Sequence, residues 1–223
     1  MLGLFSKKSA AASGTQPVTA VDTSFSAGSS VEVKKPTIYV WFPQKPGEAG
    51  HVSLQLPKTF NEDVEAKDGG IIPNCGDYLS FWPKTPVAGL KSGLIDAYKS
   101  CCTTSLTDDI SNEKRPPDRT YVKDNVSTQQ IRDMSRATKQ IVRDTLDDET
   151  RWSARGDVLR SEGKETHSCV TAVLKAAEGA DISLRKIGTD RVFGLTLPRD
   201  TGVATPIGIA KKLDNTPGFR RVP

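Results

Sequence analysis

His51 and Cys169 are the two residues of this chain whose types and spacing best suit covalent chemistry. The 223-residue sequence carries two histidines and four cysteines, so few thiol–imidazole pairs can form. A thiol attacks a carbonyl as its thiolate, and a free cysteine, with a pKa near ~8.5, is mostly protonated at neutral pH. Unpaired N–H groups at a helix N-terminus favour the anion. An imidazole that takes the proton does so as well. Cys169 opens the segment Cys169-Val170-Thr171-Ala172-Val173-Leu174-Lys175-Ala176-Ala177-Glu178-Gly179. It reads as a helix over 169–178, with Val170, Val173, Leu174 and Ala177 inward and Gly179 as its stop. His51 lies in Gly50-His51-Val52-Ser53-Leu54-Gln55-Leu56, whose alternation reads as a strand. His51, Ser53 and Gln55 share its polar face, and Val52, Leu54 and Leu56 face a core.

A dyad of this kind needs a third group to orient the imidazole. Asp77 and Ser80, on the strand predicted beside His51, and Gln55 on its own strand are the candidates. Asp77 has the best chemistry, although an aspartate at a strand start also suits a turn. His167, two residues before Cys169, is the competing base and is expected to line the substrate side of the site, together with Trp82. Cys75, Cys101 and Cys102 read as small core residues. Asn74-Cys75-Gly76 resembles a nucleophile turn, but no helix follows it. Cys101 and Cys102 are adjacent, a spacing that strains a disulfide, and no CxxC pair is present, so neither a disulfide framework nor a metal site is expected. Reduced thiols, no cofactor and folding in a cytoplasm follow.

The elements that must hold these residues are read from pattern. Thr37-Ile38-Tyr39-Val40-Trp41-Phe42, bounded by Pro36 and Pro43, residues 50–56, and Asp77-Tyr78-Leu79-Ser80-Phe81-Trp82, closed by Pro83, read as three antiparallel strands. Residues 87–102 show weak helical character, and 103–126 read as a polar loop. Residues 128–152 read as the best helix, with Ile131, Met134, Ile141, Val142 and Leu146 on one face and a cap at Ser127 or Thr128. Segments 182–187 and 191–197 read as strands, and 199–223 as irregular. Residues 1–34, rich in Ser, Ala, Thr and Gly, read as a disordered tail. The expected organisation is that tail followed by a single α+β domain over 35–223, an antiparallel sheet with helices packed on one side of it and an inserted helical region about 87–165.

Charged residues make up 26% of the chain and the net charge is +4. Basic and acidic side chains are interleaved without a basic stripe, which argues against a nucleic-acid partner. No apolar run approaches membrane-span length, and the first residues lack the apolar stretch of a Sec signal.

Gly50-His51-Val52-Ser53-Leu54, then Tyr78-Leu79-Ser80-Phe81-Trp82-Pro83, then the Cys169 helix resemble, in that order, circularly permuted papain-like cysteine enzymes of the NlpC type, over roughly residues 37–197. The layout is similar to bacterial effector domains, including ones delivered by type VI secretion. The resemblance implies a papain-like fold with Cys169 as nucleophile and His51 as base and acid. It also implies a cysteine peptidase or amidase acting on a peptidoglycan peptide or a target-cell protein. Synthesis in a bacterial cytoplasm, export by a Sec-independent route, a secretion carrier and an immunity protein are further expectations. Deamidation or acyl transfer would use the same dyad. A non-enzymatic effector that grips a target protein, and a phage-type structural protein, are the alternatives without chemistry.

Overall fold

A computed structural model describes residues 34–45, 48–58, 64–65, 67, 69, 71–72, 77–85, 97–154, 156, 163–180, 182 and 204–223. The chain divides into Met1–Val31 and Glu32–Pro223, and every element below belongs to the second unit. The tail expected over residues 1–34 lies outside the described residues, Lys34 excepted, as do Cys75 and the strands expected over 182–187 and 191–197, apart from Ile182.

β-branched and aromatic residues after Pro36 form β1 (Thr37–Trp41). β2 (His51–Gln55) pairs antiparallel with it, Trp41 against His51 and Thr37 against Gln55. Gly50 turns the chain into β2 at φ +69, where an added Cβ would stand 2.5 Å from the Trp41 carbonyl oxygen, a conformation and an approach that only glycine tolerates. A small hairpin, β3 (Val64–Glu65) and β4 (Ile71–Ile72), intervenes. β5 (Tyr78–Pro83) then returns alongside β2, which gives the antiparallel trio expected from sequence. β6 (Tyr98–Thr103), β7 (Arg119–Lys123), β8 (Thr150–Trp152), β9 (Glu165–His167) and β10 (Phe219–Val222) extend it to eight strands in the order β10-β7-β1-β2-β5-β6-β8-β9. β8 and β9 run parallel, so the α+β fold is built on a mixed sheet, and not on the purely antiparallel one expected.

The described helices are α1 (Leu106–Glu113), α2 (Thr128–Leu146), α3 (Cys169–Glu178) and α4 (Pro206–Asp214). The loop expected over 103–126 holds both α1 and β7. Ser105 caps α1 by accepting the Asp108 N–H, and β-branched Thr120 and Val122 flank buried Tyr121 in β7. The end expected to be irregular holds α4, capped by Thr205 with Pro206 in its first turn, and then β10. Tyr98–Thr103 is a strand where weak helix was expected. The span 87–165 is thus no helical insertion, because β6, β7 and β8 are integral to the sheet. The helix expected to run to Trp152 stops at Leu146, and Thr150–Trp152 pairs with β6. Gly179 closes α3 in right-handed geometry, φ −57, so no left-handed stop is involved. A Cβ there would approach Ala137 Cβ to 3.2 Å and the Asp133 carbonyl oxygen to 3.4 Å, so its small size lets α3 lie close to α2.

Alternation along the strands makes two buried faces. Ile38, Val40, Val52, Leu54, Leu79 and Phe81 meet Met134, Ile141 and Val142 of α2, Val170 and Val173 of α3, and Ile209 and Leu213 of α4. Tyr39, Trp41 and Tyr78 turn the other way and pack against Leu106 and Ile110 of α1. The helices therefore cover both faces, and the polar face of β2 is closed over by α1.

Candidate active site

The α1 side of β2, β5 and β6 carries an unusual run of polar side chains. His51 and Ser53 on β2, Tyr78, Ser80 and Trp82 on β5, and Thr103 on β6 follow the two-residue period of one face. The register sets Ser53 opposite Ser80, and Ser80 opposite Thr103. Continued by two residues, it sets His51 opposite Trp82. Asp109, in the first turn of α1, comes down onto this row and has no solvent exposure.

Asp109 is the acceptor for four members of the row, and Ser53 bonds the Tyr78 hydroxyl at 2.8 Å. Tyr78 Oη donates to its Oδ2 at 2.6 Å, and Ser80 Oγ, Thr103 Oγ1 and Trp82 Nε1 donate to its Oδ1 at 2.7, 2.7 and 3.0 Å. His51 Nε2 stands 3.4 Å from Oδ2 and 2.9 Å from Ser80 Oγ. Trp82 Nε1 also donates to Ser80 Oγ at 2.8 Å. These contacts fix the imidazole proton. A hydroxyl has one proton to give and two lone pairs to share. Ser80 gives its proton to Asp109, so it accepts from His51, and Nε2 carries a hydrogen. The ring is stacked on the Trp82 indole, centroids 3.9 Å apart and planes 20° from parallel. The Trp41 indole approaches it at 5.5 Å, with its own N–H given to the Arg115 carbonyl oxygen at 3.0 Å.

Burial alone would drive Asp109 toward its neutral form. The hydrogen bond and charge of His51, with the Tyr78 and Thr103 hydroxyls, hold its carboxyl well below the usual range. Burial likewise opposes a charged His51. Interaction with Asp109, followed by that of the nearby Cys169 side chain, overturns that effect and raises it to about 9. Burial, followed by the Asp109 charge, pushes the Tyr78 hydroxyl far up, so it remains a donor.

Cys169 opens α3, which packs on β2 and β5, and lies near enough to His51 to contribute to its raised pKa. The Ser168 and Thr171 side chains each accept the other's backbone N–H in a reciprocal cap, which locks the first turn. The thiol is free and 5% exposed.

The structure thus brings His51, Cys169 and Ser80 together, three of the residues expected to act. Asp77 is not among them. It precedes β5, and its carbonyl oxygen accepts the Leu56 N–H at 2.6 Å. The register places it opposite Leu56, five residues along β2 from His51, or ~16 Å at ~3.3 Å per residue. Its carboxyl is pushed up by burial. Gln55 bonds the Tyr39 hydroxyl through Oε1 at 2.9 Å, four residues from His51 on the same strand. His167 sets its ring against Phe81 on the core face, centroids 5.9 Å apart, with Nε2 3.4 Å from Glu165 Oε2. It does not face the His51 imidazole. Trp82 sits against His51 and bonds Ser80 and Asp109, a different placement from the substrate surface expected of it. Cys101 and Cys102 lie on β6 outside any disulfide, with the Cys102 thiol 3.8 Å from Thr145 Oγ1.

Asp109 is the residue that sequence reasoning missed. A signal was present: Ser105-Leu106-Thr107-Asp108-Asp109-Ile110 carries a cap, an acidic first turn and apolar residues four apart, the marks of a short amphipathic helix. Among the described residues, no group of three His, Cys, Asp or Glu side chains is arranged to hold a metal ion, and no helix is long and apolar enough to cross a membrane. Comparisons with protein families, with curated proteins and with solved structures give no match to this chain.

Proposed function

We propose that the protein is a cysteine enzyme acting on an amide bond, with Cys169 as nucleophile, His51 as base and acid, and Asp109 orienting the imidazole. One observation carries this reading. The buried His51 imidazole stands 2.9 Å from Ser80 Oγ and 3.4 Å from the Asp109 carboxylate, and the Cys169 side chain that helps to raise its pKa opens a capped helix. Nε2 is committed to Ser80 and Asp109, so Nδ1 takes the thiol proton. The thiolate attacks the carbonyl carbon, and the negative charge on the carbonyl oxygen falls near the first turn of α3. The cap uses the Thr171 N–H, and the N–H groups of Cys169 and Val170 are of the kind a helix leaves unpaired. His51 then gives the Nδ1 proton to the leaving amine. Water, activated by the returned base, releases the acyl group from sulfur.

Hydrolysis of a peptide or of a peptidoglycan amide, by a bacterial effector delivered into a target cell, is the biological setting that the sequence resemblance suggests. The chemistry is tested before the setting. Alkylation by iodoacetamide, read residue by residue by mass spectrometry from pH 5 to 10, is expected to label Cys169 faster than Cys75, Cys101 and Cys102 below pH 8. Labelling at Cys169 should slow by ~100-fold in His51→Ala, the lower end of what a positioned base supplies. Equal rates at all four thiols, or indifference of Cys169 to His51, would remove the enzymatic reading and favour a binding protein.

A further inference from the structure

The Trp82 indole touches the imidazole and its acceptors at once. Its face lies 3.9 Å from the His51 ring at a 20° angle, while its edge N–H reaches Ser80 Oγ at 2.8 Å and Asp109 Oδ1 at 3.0 Å. Those are the two groups that His51 Nε2 itself addresses. Stacking alone would leave the imidazole free to turn in its plane, and the hydrogen bonds alone would leave it free to tilt. The indole limits both motions, because one rigid bicycle sets the plane of the ring and the place of its acceptors. β5 supplies that rigidity, since Ser80 and Trp82 are two residues apart on one face and Trp82 is paired across the sheet with Cys101 of β6.

We propose that Trp82 is a positioning residue for the His51 imidazole, its face stacking on the charged ring and its N–H holding the Ser80 and Asp109 oxygens where Nε2 meets them. An aromatic face attracts a cation through its quadrupole, most strongly for an indole out of water, and His51 is 1% exposed. The stack therefore favours the protonated ring, the form that donates to a leaving amine in the reaction proposed above. The effect on the ring does not depend on that reaction, and the two can be tested apart.

The chain has two histidines, so NMR titration of the full-length protein carrying 15N-labelled histidine gives two imidazoles, with His51→Gln to assign them. Trp82→Leu removes both face and N–H, and Trp82→Phe keeps a face. The His51 midpoint is expected to fall by about one pH unit in Trp82→Leu and by less than about half a unit in Trp82→Phe, the range that a desolvated cation–π contact supports. The alkaline turn of Cys169 alkylation by iodoacetamide should move with it. A folded Trp82→Leu whose His51 titrates like wild type overturns the proposal, as does an equal fall in both variants. Should near-UV circular dichroism show Trp82→Leu unfolded, Trp82→Met, which keeps bulk without a π face, takes its place under the same criteria. A fall of a full unit in Trp82→Phe is decisive against the stack in either case. A Trp82-dependent shift of His51 with Cys169 alkylation indifferent to His51 would keep the positioning role and discard the enzymatic reading.

Discussion

Asp109 takes hydrogen bonds from Tyr78, Ser80, Thr103 and Trp82 and still faces an imidazole. Such a carboxylate is held ionised by its donors, and it holds His51 ionised in turn. The sign of the resulting pH dependence follows from the direction of each shift. His51 is raised from 6.5 to about 9 in the folded chain, so its contribution to stability is complete below about pH 6.5 and is lost as pH climbs through 9. Between those values His51 holds a proton in the folded state that it lacks in the unfolded state, and the contribution of this group should fall by about 1.4 kcal/mol per pH unit. Asp109 is lowered, so its contribution is present above the usual carboxylate range and is lost only on strong acidification. Asp109→Asn removes the charge that supports the imidazolium while keeping the size of the side chain. Urea unfolding at pH 6.5, 7.5 and 8.5 should show the downward slope in wild type and its loss in Asp109→Asn, and the alkaline turn of Cys169 alkylation should move from about 9 toward 6.5. An unchanged slope in the variant would show that Asp109 does not set the charge of His51.

Two helix starts bring the partners to His51, and they differed in how openly the sequence announced them. The α3 start was legible because Ser168 before an apolar run of Val170, Val173 and Ala177 matches both cap and period. With two histidines in the chain, the thiol beside it had few bases to choose from. The α1 start was hidden among the polar residues around Pro116 and Pro117, and nothing local sets Asp109 apart among the 27 aspartates and glutamates of the chain. Only the tertiary path of β5, β6 and α1 places it below Ser80. Asp77 drew attention by lying near the right strand, yet strand register works at single-residue resolution and five residues is too far. The α3 start also leans on Gly156. At φ +64, an added Cβ would meet Thr171 Cγ2 at 2.5 Å and Thr171 Oγ1 at 2.9 Å, and that hydroxyl accepts the Ser168 N–H at 2.8 Å in the cap. Gly156→Ala should cost about 1–3 kcal/mol through backbone strain and displacement of Thr171, measured as a lower melting temperature, and should slow Cys169 alkylation. A variant that melts and reacts like wild type would show that the first turn of α3 does not depend on this contact.

Across the whole molecule, the flank made by β7, β10 and α4 lies on the far side of β1 from the site, and its ties are distant in sequence. Tyr121 of β7 is fully buried and donates to Asp214 Oδ1 of α4 at 2.8 Å, while Arg119 bonds Asp214 Oδ2 at 2.5 Å. β10 then closes onto β7, with Arg221 against Tyr121. Pattern reading missed this flank because its elements are short and their apolar residues find partners only across some ninety positions, as in the pairing of Tyr121 with Asp214. A strand of four or five residues has little period to display, and its stability comes from the sheet it joins. The site draws instead on β2, β5, β6, α1 and α3, so stability and chemistry should be separable. Tyr121→Phe keeps the ring in the core and removes the hydroxyl that donates to Asp214 and accepts from Arg119, leaving Asp214 its Arg119 partner. It should lower the unfolding free energy by about 1–3 kcal/mol. It should leave the rate of Cys169 alkylation and its turn near pH 9 unchanged. Urea unfolding and the alkylation profile on the same sample decide the matter, because a displaced pH profile in a stably folded Tyr121→Phe would mean that the flank and the His51 cluster move as one body.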